Sequence, residues 1–319
     1  MEFNTLISNH RTRIMGSAMI AIMLFHQPFF YSNLFVDFFH LYGAWGVEIF
    51  LFVSGFGIVY SLRKNRLKQY YINRFKRLFP PCIIIGICKY TLSLLGFQEF
   101  ITSNIFLLIT NIYLWYIYAI IIYYILAPWL YKFLTIYGKW GFFLICIFSL
   151  LCSYIPFKNS TYYLINHIGW LTARLPVFTL GIYSAIYPTK IKTEKIFIVG
   201  FFILIICMLL KLASTMVRFQ WKILHLNLLI LFATPMLCIL SYHVNNLADK
   251  IKCTTILDFF GTHSLELYLW HEFIWWNISR NELSVNLNPW LQCILALGLS
   301  IVLAHITYII KNRISYFTK

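Results

Sequence analysis

Charged residues are scarce in this sequence. They make up 11% of the 319 residues, whereas 61% of the residues are hydrophobic. A soluble globular domain has about a quarter of its residues charged and about half apolar, so the composition excludes a water-soluble fold. The mean hydropathy of +0.75 and the 19% aromatic content suit a lipid-facing bundle, whose Tyr and Trp side chains favour the membrane interfaces.

Acidic residues are especially few. Ten Asp and Glu residues oppose 26 Lys and Arg residues, which gives a net charge of +16. In a soluble protein this excess would suggest a nucleic-acid partner. In a membrane protein, Lys and Arg flank the spans on the cytoplasmic side and set the orientation of the chain. We therefore expect membrane lipids, and no nucleic acid, as partners of these cations.

Paired cysteines, a leader and internal repeats are also missing. The eight cysteines form no C-x-x-C pair and are interpreted as small buried apolar residues, which gives no metal site and no disulfide framework. No cleavable signal peptide precedes the first apolar segment, so this segment is expected to stay in the mature protein. The lack of an internal repeat weighs against transporters built from two matching halves.

Long apolar runs dominate what remains. A span needs roughly 20 apolar residues, so the chain has room for about ten spans and for no second, water-soluble domain. Most Lys and Arg residues fall on alternate connections if the N-terminus is cytoplasmic, which predicts that both termini are cytoplasmic. The predicted fold is an all-α polytopic membrane bundle in a single domain over residues 1–319. The predicted spans lie near 14–31, 41–62, 78–96, 104–131, 139–157, 168–187, 195–213, 223–243, 259–279 and 289–310.

Five ionisable residues stand out inside these spans, where an ionisable side chain is costly and usually faces a cavity or a partner. They are His26, Glu48, Arg174, Glu266 and His271. At 1.5 Å per residue, His26 and His271 each lie about 18 Å above the inner ends of their spans. Glu48 lies about 10 Å below the outer end of its span. In a hydrocarbon core roughly 30 Å thick, the three residues share one layer.

This layer suits proton transfer. An imidazole titrates near neutrality and can take a proton from a hydroxyl group. A carboxylate can orient the imidazole and stabilise its cation. His26 is therefore predicted to be a general base that Glu48 orients. The alternative is that the two groups only satisfy each other inside the bundle. His225 and His305 show no such partner and are interpreted as structural, and Lys89 is expected to snorkel toward an interface.

A basic segment, residues 63–77 with seven Lys and Arg residues, follows the second predicted span. Within it, Arg74 and Arg77 lie three residues apart and would share a face if the segment were helical. Two guanidinium groups at the inner surface suit a phosphate-rich ligand. The alternative is an ordinary positive flank that contacts anionic lipid. Pro80 and Pro81 are expected to begin the next span, where proline is tolerated.

Small residues crowd the second predicted span. They are Gly46, Ser54, Gly55 and Gly57. Small side chains allow helices to approach closely, so helix packing is the expected role. Close passage of a ligand is the alternative.

Six blocks of the sequence form a pattern along nearly the whole chain. They are MGSAMIAIMLFH at 15–26, GVEIFLFVSGF at 46–56, RFKRLFPP at 74–81, LWY at 114–116, RLPVFTLG at 174–181 and FGTHSLELYLWH at 260–271. Each block alone is weak, but in this order and spacing they resemble the membrane-bound acyltransferase-3 family. One departure is that Met15 stands where the family usually carries an Arg, eleven residues before the His. Arg13 lies two residues earlier, about 200° round a helix.

The resemblance implies an enzyme that transfers an acyl group, usually acetyl, from cytoplasmic acyl-CoA to a carbohydrate hydroxyl. No bound cofactor is implied; acetyl-CoA or another acyl-CoA is the donor substrate. The implied acceptor is a surface polysaccharide, an exopolysaccharide or its lipid-linked precursor, at a bacterial plasma membrane. A carbohydrate or lipid transporter and a structural membrane protein remain alternatives.

The resemblance also implies roles for particular residues. His26 and Glu48 would be catalytic, and Arg74 and Arg77 would hold the phosphates of CoA. The supporting candidates are Arg13, Ser54, Trp115, Arg174 and His271.

Overall fold

The structure is a computed structural model, and it describes residues 1–28, 39–40, 43–96, 114–154, 163–188, 192–217, 222–250, 252, 254–280 and 287–317. The regular elements in these ranges are helices, and no β-strand occurs among them. The all-α fold predicted from the sequence is confirmed. The helices are α1 (Phe3–His26), α2 (Trp45–Lys64), α3 (Leu67–Leu94), α4 (Trp115–Tyr154), α5 (Tyr163–Ile186), α6 (Thr193–Val217), α7 (Lys222–Lys250), α8 (Thr254–Thr262), α9 (Ser264–Arg280) and α10 (Pro289–Phe317).

Four helices in the described ranges are long and apolar enough to cross a membrane. They are Trp45–Lys64, Leu67–Leu94, Trp115–Cys152 and Pro289–Ile314. Large apolar side chains such as Trp140 and Phe148 on α4, and Ile294 on α10, are more than half exposed. Apolar surface of this extent is stable against lipid. The total of about ten spans and the cytoplasmic position of both termini stay predictions.

The second and third helices differ from the predicted segments. α2 continues to Lys64 and α3 already begins at Leu67, so the basic segment is mostly helical and not a loop. Tyr70 is buried within this part of α3, whereas Arg77 is exposed. The segment is therefore an amphipathic helix, which a search for continuous apolar runs overlooks. Pro80 and Pro81 lie inside α3 and do not begin it, which corrects the expected start of this span.

Two further helical regions are interrupted. α4 contains 40 residues and is interrupted at Gly138, whose φ of 52° and ψ of −131° are not helical. Glycine adopts a positive φ at little cost. The interruption falls between the predicted spans 104–131 and 139–157, although residues 104–113 and 155–157 lie outside the described ranges. The predicted span 259–279 contains a helix boundary, because α8 and α9 are separate helices with His263 between them.

The chain divides into two compact units. The first unit contains Met1–Ile14, Val47–Leu67 and Ala119–Thr254, and the second contains Met15–Gly46, Lys68–Tyr118 and Thr255–Lys319. The first unit holds Glu48 and Arg174. The second unit holds His26, His271, Arg74 and Arg77. The single domain predicted over residues 1–319 stays a prediction.

Candidate active site

In the second unit, a row of polar contacts fixes α9 against α10. The residue numbers of the partners on α10 fall as those on α9 rise, so the two helices are antiparallel. These contacts hold α9 in one rotation about its axis and thereby fix the direction in which the neighbouring His271 and Glu272 project. The contacts are the Lys311 ammonium with the Glu266 carboxylate, Trp270 Nε1 with Thr307 Oγ1 at 3.1 Å, and Trp275 Nε1 with Ser300 Oγ at 3.2 Å.

Helix α1 approaches the same part of the unit through a glycine. A Cβ atom at Gly16 would overlap the carbonyl oxygen of Leu257 on α8. Only glycine permits this separation of the two backbones. α1 then continues to its last residue, His26. The sequence therefore brings His26 to α9 through a close helix contact and a helix end.

His26 and His271 lie side by side. Nδ1 of His26 and Nε2 of His271 are 3.3 Å apart, and the ring centroids are 5.1 Å apart. The side chain of His26 is 26% exposed, whereas His271 is buried. The shared layer predicted for these two histidines agrees with this contact.

Glu272 completes the cluster. Its Oε1 atom lies 3.3 Å from Nε2 of His26, and its side chain is 37% exposed. The sequence interpretation did not select Glu272. Its position directly after His271 could have indicated that it lies in the same layer, because adjacent helical residues differ in depth by only about 1.5 Å.

Backbone carbonyls determine the tautomers of the two rings. A carbonyl oxygen only accepts hydrogen bonds. Nδ1 of His271 lies 3.1 Å from the oxygen of Leu267 and 2.8 Å from that of Tyr268, so it carries a proton. Nε2 of neutral His271 therefore accepts a hydrogen bond from Nδ1–H of His26, which also lies 3.0 Å from the oxygen of Ile22. The remaining nitrogen of His26, Nε2, is thus the basic atom.

The basic nitrogen of His26 faces a carboxylate. In the neutral state, the lone pair of Nε2 and the charge of Glu272 repel each other. A proton on Nε2 converts this repulsion into a charge-assisted hydrogen bond. Both side chains are partly exposed, so a hydroxyl group can reach them. The arrangement therefore favours transfer of a proton from a hydroxyl group to His26.

Aromatic rings surround the two histidines. Phe25 lies edge-on to His26 with centroids 4.7 Å apart, and Tyr268 lies 5.6 Å from His271. Tyr116 contacts Tyr268 at 4.9 Å. The ring centroid of the supporting candidate Trp115 lies 6.2 Å from that of Tyr116, and Tyr116 meets the cluster through Tyr268. Within the described ranges, no group of three His, Cys, Asp or Glu side chains could hold a metal ion.

Glu48 forms a buried ion pair in the first unit. Nε of Arg174 donates to Oε1 of Glu48 at 2.6 Å, and the two side chains are 7% and 2% exposed. Oε2 of Glu48 is buried and has no hydrogen-bond partner among the described residues. Ser54, a supporting candidate, is also buried on α2.

Close backbone packing positions this ion pair. A Cβ atom at Gly55 would overlap the carbonyl of Phe178, and one at Gly181 would overlap the carbonyl of Phe52. Glu48 and Arg174 each lie about two turns before the glycine on their own helix. The packing role expected for the small residues of α2 agrees with these contacts, since Gly46 also faces the carbonyl of Ala18 and Gly57 faces the guanidinium group of Arg11.

The predicted pairing of His26 with Glu48 stays a prediction. The two residues belong to different units. The described partners are Glu272 for His26 and Arg174 for Glu48.

The two candidate arginines of the donor site lie on α3, so the helical condition for a shared face is met. Arg74 is half-buried, and its guanidinium carbon lies 5.4 Å from the centroid of the Tyr70 ring. Arg77 is exposed. Their role in binding a phosphate-rich ligand stays a prediction.

Arg13 forms an ion pair outside the histidine cluster. Its Nη1 atom lies 3.0 Å from Oδ1 of Asp249 on α7. Met15, the residue in the position of the family Arg, is buried. A supporting role for Arg13 stays a prediction.

The expectation that Lys89 snorkels is wrong: Lys89 is 1% exposed, and its Nζ atom lies 5.6 Å from the centroid of the Phe273 ring. Nδ1 of His305 lies 3.1 Å from Nε2 of His263, and the structural interpretation of His305 stays a prediction. The side chain of His225 lies outside the described residues. Helix periodicity places Lys89 on an inward stripe, and an estimate based on side-chain length misses this.

These observations define a helical membrane protein with a candidate proton-transfer cluster. A family model described as an acyltransferase domain, Acyl_transf_3, matches residues 16–309. The chain therefore belongs to the acyltransferase-3 family, and the prediction that it is an acyltransferase is confirmed. No curated protein and no solved structure matches the chain. The matched residues include the whole histidine cluster, whereas Arg13 precedes them.

Proposed function

We propose that this enzyme transfers an acetyl group from cytoplasmic acetyl-CoA to a hydroxyl group of a surface polysaccharide, an exopolysaccharide or its lipid-linked precursor. The observation that carries the proposal is the basic Nε2 atom of His26, held 3.3 Å from the carboxylate of Glu272. A transferase that uses a hydroxyl acceptor needs a base of this kind. The proposed location is the plasma membrane of a bacterium.

In the proposed reaction, the acceptor hydroxyl approaches Nε2 of His26. The hydroxyl oxygen attacks the thioester carbonyl while its proton passes to Nε2. Glu272 stabilises the resulting imidazolium, and His271 keeps Nδ1 of His26 in its donor role. The tetrahedral intermediate then expels the CoA thiolate, which recovers the proton from His26. An ester and free CoA are the products.

The donor is proposed to bind with its phosphates on Arg74 and Arg77. Guanidinium groups bind phosphate with two parallel hydrogen bonds. Arg77 is exposed and Arg74 is half-buried on the same helix, so one face of α3 offers two cations. Both residues belong to the unit that contains the histidine cluster.

The remaining candidate residues are proposed to support the reaction. The buried Oε2 atom of Glu48 retains the capacity to accept a hydrogen bond. We retain the proposal that Glu48 helps to orient His26, and that Arg174, Ser54, Trp115 and Arg13 support the site.

Replacement of His26 in cells tests the proposal. A strain lacking the gene is complemented with the wild-type chain, with His26→Gln or with His10→Ala. His10 lies on the same helix and contacts Tyr242, so it serves as the matched control. We expect the base-labile ester of the cell-surface glycan to disappear with His26→Gln and to persist with His10→Ala, at equal protein levels in the membrane.

Retained ester with His26→Gln would overturn the proposed mechanism. The transporter alternative predicts a different outcome. In that case the unmodified glycan would fail to reach the surface in the deletion strain, and no ester would depend on His26.

A further inference from the structure

Helix α1 ends at the residue that carries the proposed base. His26 is the last residue of α1, and Gln27 follows it. Helix ends fray, because their last carbonyl groups have no partner within the helix. In the proposed reaction, however, Nδ1 of His26 donates to His271 while Nε2 faces Glu272. The geometry of the base therefore depends on what holds the end of α1.

The chain that leads into α2 packs along the last turns of α1. Contacts occur at every third residue of this chain, and two of them are so close that only glycine fits. The partners on α1 advance toward its end as the residue numbers of the chain fall. The contacts join Gly46 to the carbonyl oxygen of Ala18, Gly43 to that of Ala21, and His40 to Gln27. His40 is therefore the residue that meets the end of α1.

His40 donates a hydrogen bond to the first residue beyond α1. Its Nε2 atom lies 3.0 Å from the backbone oxygen of Gln27 and 3.0 Å from the side-chain amide of the same residue. A carbonyl oxygen only accepts hydrogen bonds, so Nε2 of His40 carries a proton. With its oxygen turned toward His40, the amide accepts the same proton. Gln27 is 4% exposed, so water does not readily replace His40 as the donor.

This hydrogen bond fixes the backbone from which the imidazole of His26 projects. Gln27 shares a peptide bond with His26, so a fixed Gln27 leaves the last turn of α1 closed. In the closed turn, Nδ1 of His26 lies 3.0 Å from the oxygen of Ile22 and 3.3 Å from Nε2 of His271. Without the donor, the turn would open in a fraction of the molecules, and in that fraction Nε2 of His26 would leave its place beside Glu272.

We propose that His40 is a positioning residue for His26: its Nε2–H group closes the end of α1 and keeps the base in its reactive position. This inference rests on the proposed function. The role requires a hydrogen-bond donor at the position of Nε2, and it requires no change in the protonation of His40. A glutamine amide, which carries its nitrogen the same number of bonds from the backbone, can fill this role. An alanine cannot.

The experiment compares His40→Ala with His40→Gln in a deletion strain that produces the full chain and its native glycan. Inverted vesicles from each strain receive radiolabelled acetyl-CoA, and alkali-labile label is counted at several donor concentrations. Rates are divided by the amount of folded protein, measured by fluorescence-detected chromatography. His243→Ala, at an exposed histidine on α7, is the matched control.

We expect His40→Ala to lower the maximal rate about tenfold, because a hydrogen bond that selects one conformation is lost. The apparent KM for acetyl-CoA should stay within about threefold, since the proposed donor arginines lie on α3 and not on α1. His40→Gln should keep a rate within about threefold of the wild type, because it retains the donor. His243→Ala should not change the rate.

Several outcomes would overturn the inference. A wild-type rate in His40→Ala, or a loss that disappears once rates are divided by folded protein, would show that His40 does not position the base. Equal losses in His40→Ala and His40→Gln would show that the donor is not what matters. An unchanged rate in His40→Ala together with an inactive His26→Gln overturns this inference alone, whereas full activity in His26→Gln overturns the proposed function.

A second pair of variants applies if His40→Ala does not accumulate in the membrane. His40→Asn carries its amide nitrogen one bond closer to the backbone than His40→Gln does, so it does not reach the oxygen of Gln27. The maximal rate of His40→Asn should therefore be several-fold lower than that of His40→Gln at equal KM for acetyl-CoA. Equal maximal rates in these two variants would refute the positioning role of His40.

Discussion

Replacement of Glu272 by glutamine removes the carboxylate charge beside His26 and preserves the shape of the side chain. The two charged atoms would be 3.3 Å apart when His26 is protonated. Coulomb's law gives roughly 1 kcal/mol at the dielectric constant of water and roughly 5 kcal/mol at an effective value of 20. Both side chains are partly exposed, at 26% and 37%, so solvent screening favours the lower part of this range. A loss of about 2 kcal/mol corresponds to about a 30-fold decrease in kcat/KM.

Inverted membrane vesicles that contain the full chain and its native glycan receive radiolabelled acetyl-CoA, and label in the alkali-labile ester is counted. The value of kcat/KM is taken from the initial slope against acetyl-CoA concentration. Glu194→Gln is the matched control, because Glu194 is exposed near the start of α6. The predicted decrease comes from weaker stabilisation of the His26 cation, so raising the salt concentration should reduce the difference between wild type and variant only slightly at this short distance. Wild-type kcat/KM in Glu272→Gln would show that His26 does not share its proton with Glu272 during the reaction.

Three further predictions concern the rest of the chain. Glu48→Gln should lower the free energy of unfolding of the detergent-solubilised protein by about 3 to 5 kcal/mol, because it removes the buried counter-ion of the Arg174 guanidinium group. A double variant with Arg174→Met should melt at a higher temperature than Glu48→Gln. An unchanged melting temperature in Glu48→Gln would contradict the structural importance of the pair. Gly55→Ala should strongly reduce the folded protein in membranes, since its Cβ would meet the Phe178 carbonyl, whereas Gly298→Ala should be tolerated, since nothing lies within 4 Å of its Cβ; equal yields by fluorescence-detected chromatography would argue against the close helix contact. Arg77→Ala should raise the KM for acetyl-CoA about tenfold with little change in kcat, because a charge-assisted phosphate contact is lost. Lys76→Ala is the neighbouring control. Equal KM values for Arg77→Ala and wild type would show that Arg77 is not part of the donor site.

Much of the fold could be predicted because lipid restricts the available structures. Inside a bilayer, backbone groups must be satisfied within the segment, so long apolar runs become helices. α2 and α10 follow this rule, and the gap predicted after residue 131 contains the break at Gly138. The small residues of α2 likewise indicated packing, because the absence of a large side chain is visible in the sequence.

The start of α3 could not be predicted from continuous hydrophobicity. In its first turns, exposed cations alternate with inward-facing residues such as Tyr70. Their contributions cancel in the mean hydropathy of a sequence window, so the helix gives no apolar signal. The same averaging hid Lys89, whose long side chain suggested snorkelling. Its burial depends on which face of α3 packs against the rest of the second unit, and this is a property of tertiary structure.

The candidate site was likewise predictable only in part. The spacing and depth of His26, Glu48 and His271 indicated a polar layer, and two of these residues are in contact. Glu272 is the partner of His26 because α9 has one rotation against α10. Arg174 is the partner of Glu48 because Gly55 and Gly181 bring two backbones together. Residues far apart in sequence meet only when such contacts fix helix rotation, and apolar periodicity alone defines that rotation poorly.

The sequence by itself determined that this protein is helical and membrane-embedded, and that it resembles acyltransferases, because composition, apolar run length and motif order are local or additive properties. Only the tertiary structure decided which carboxylate faces which cation: Glu272 with His26, and Glu48 with Arg174. The physical reason is that an ion pair requires contact within about 4 Å, whereas a depth estimate along each helix leaves rotation and neighbour undefined.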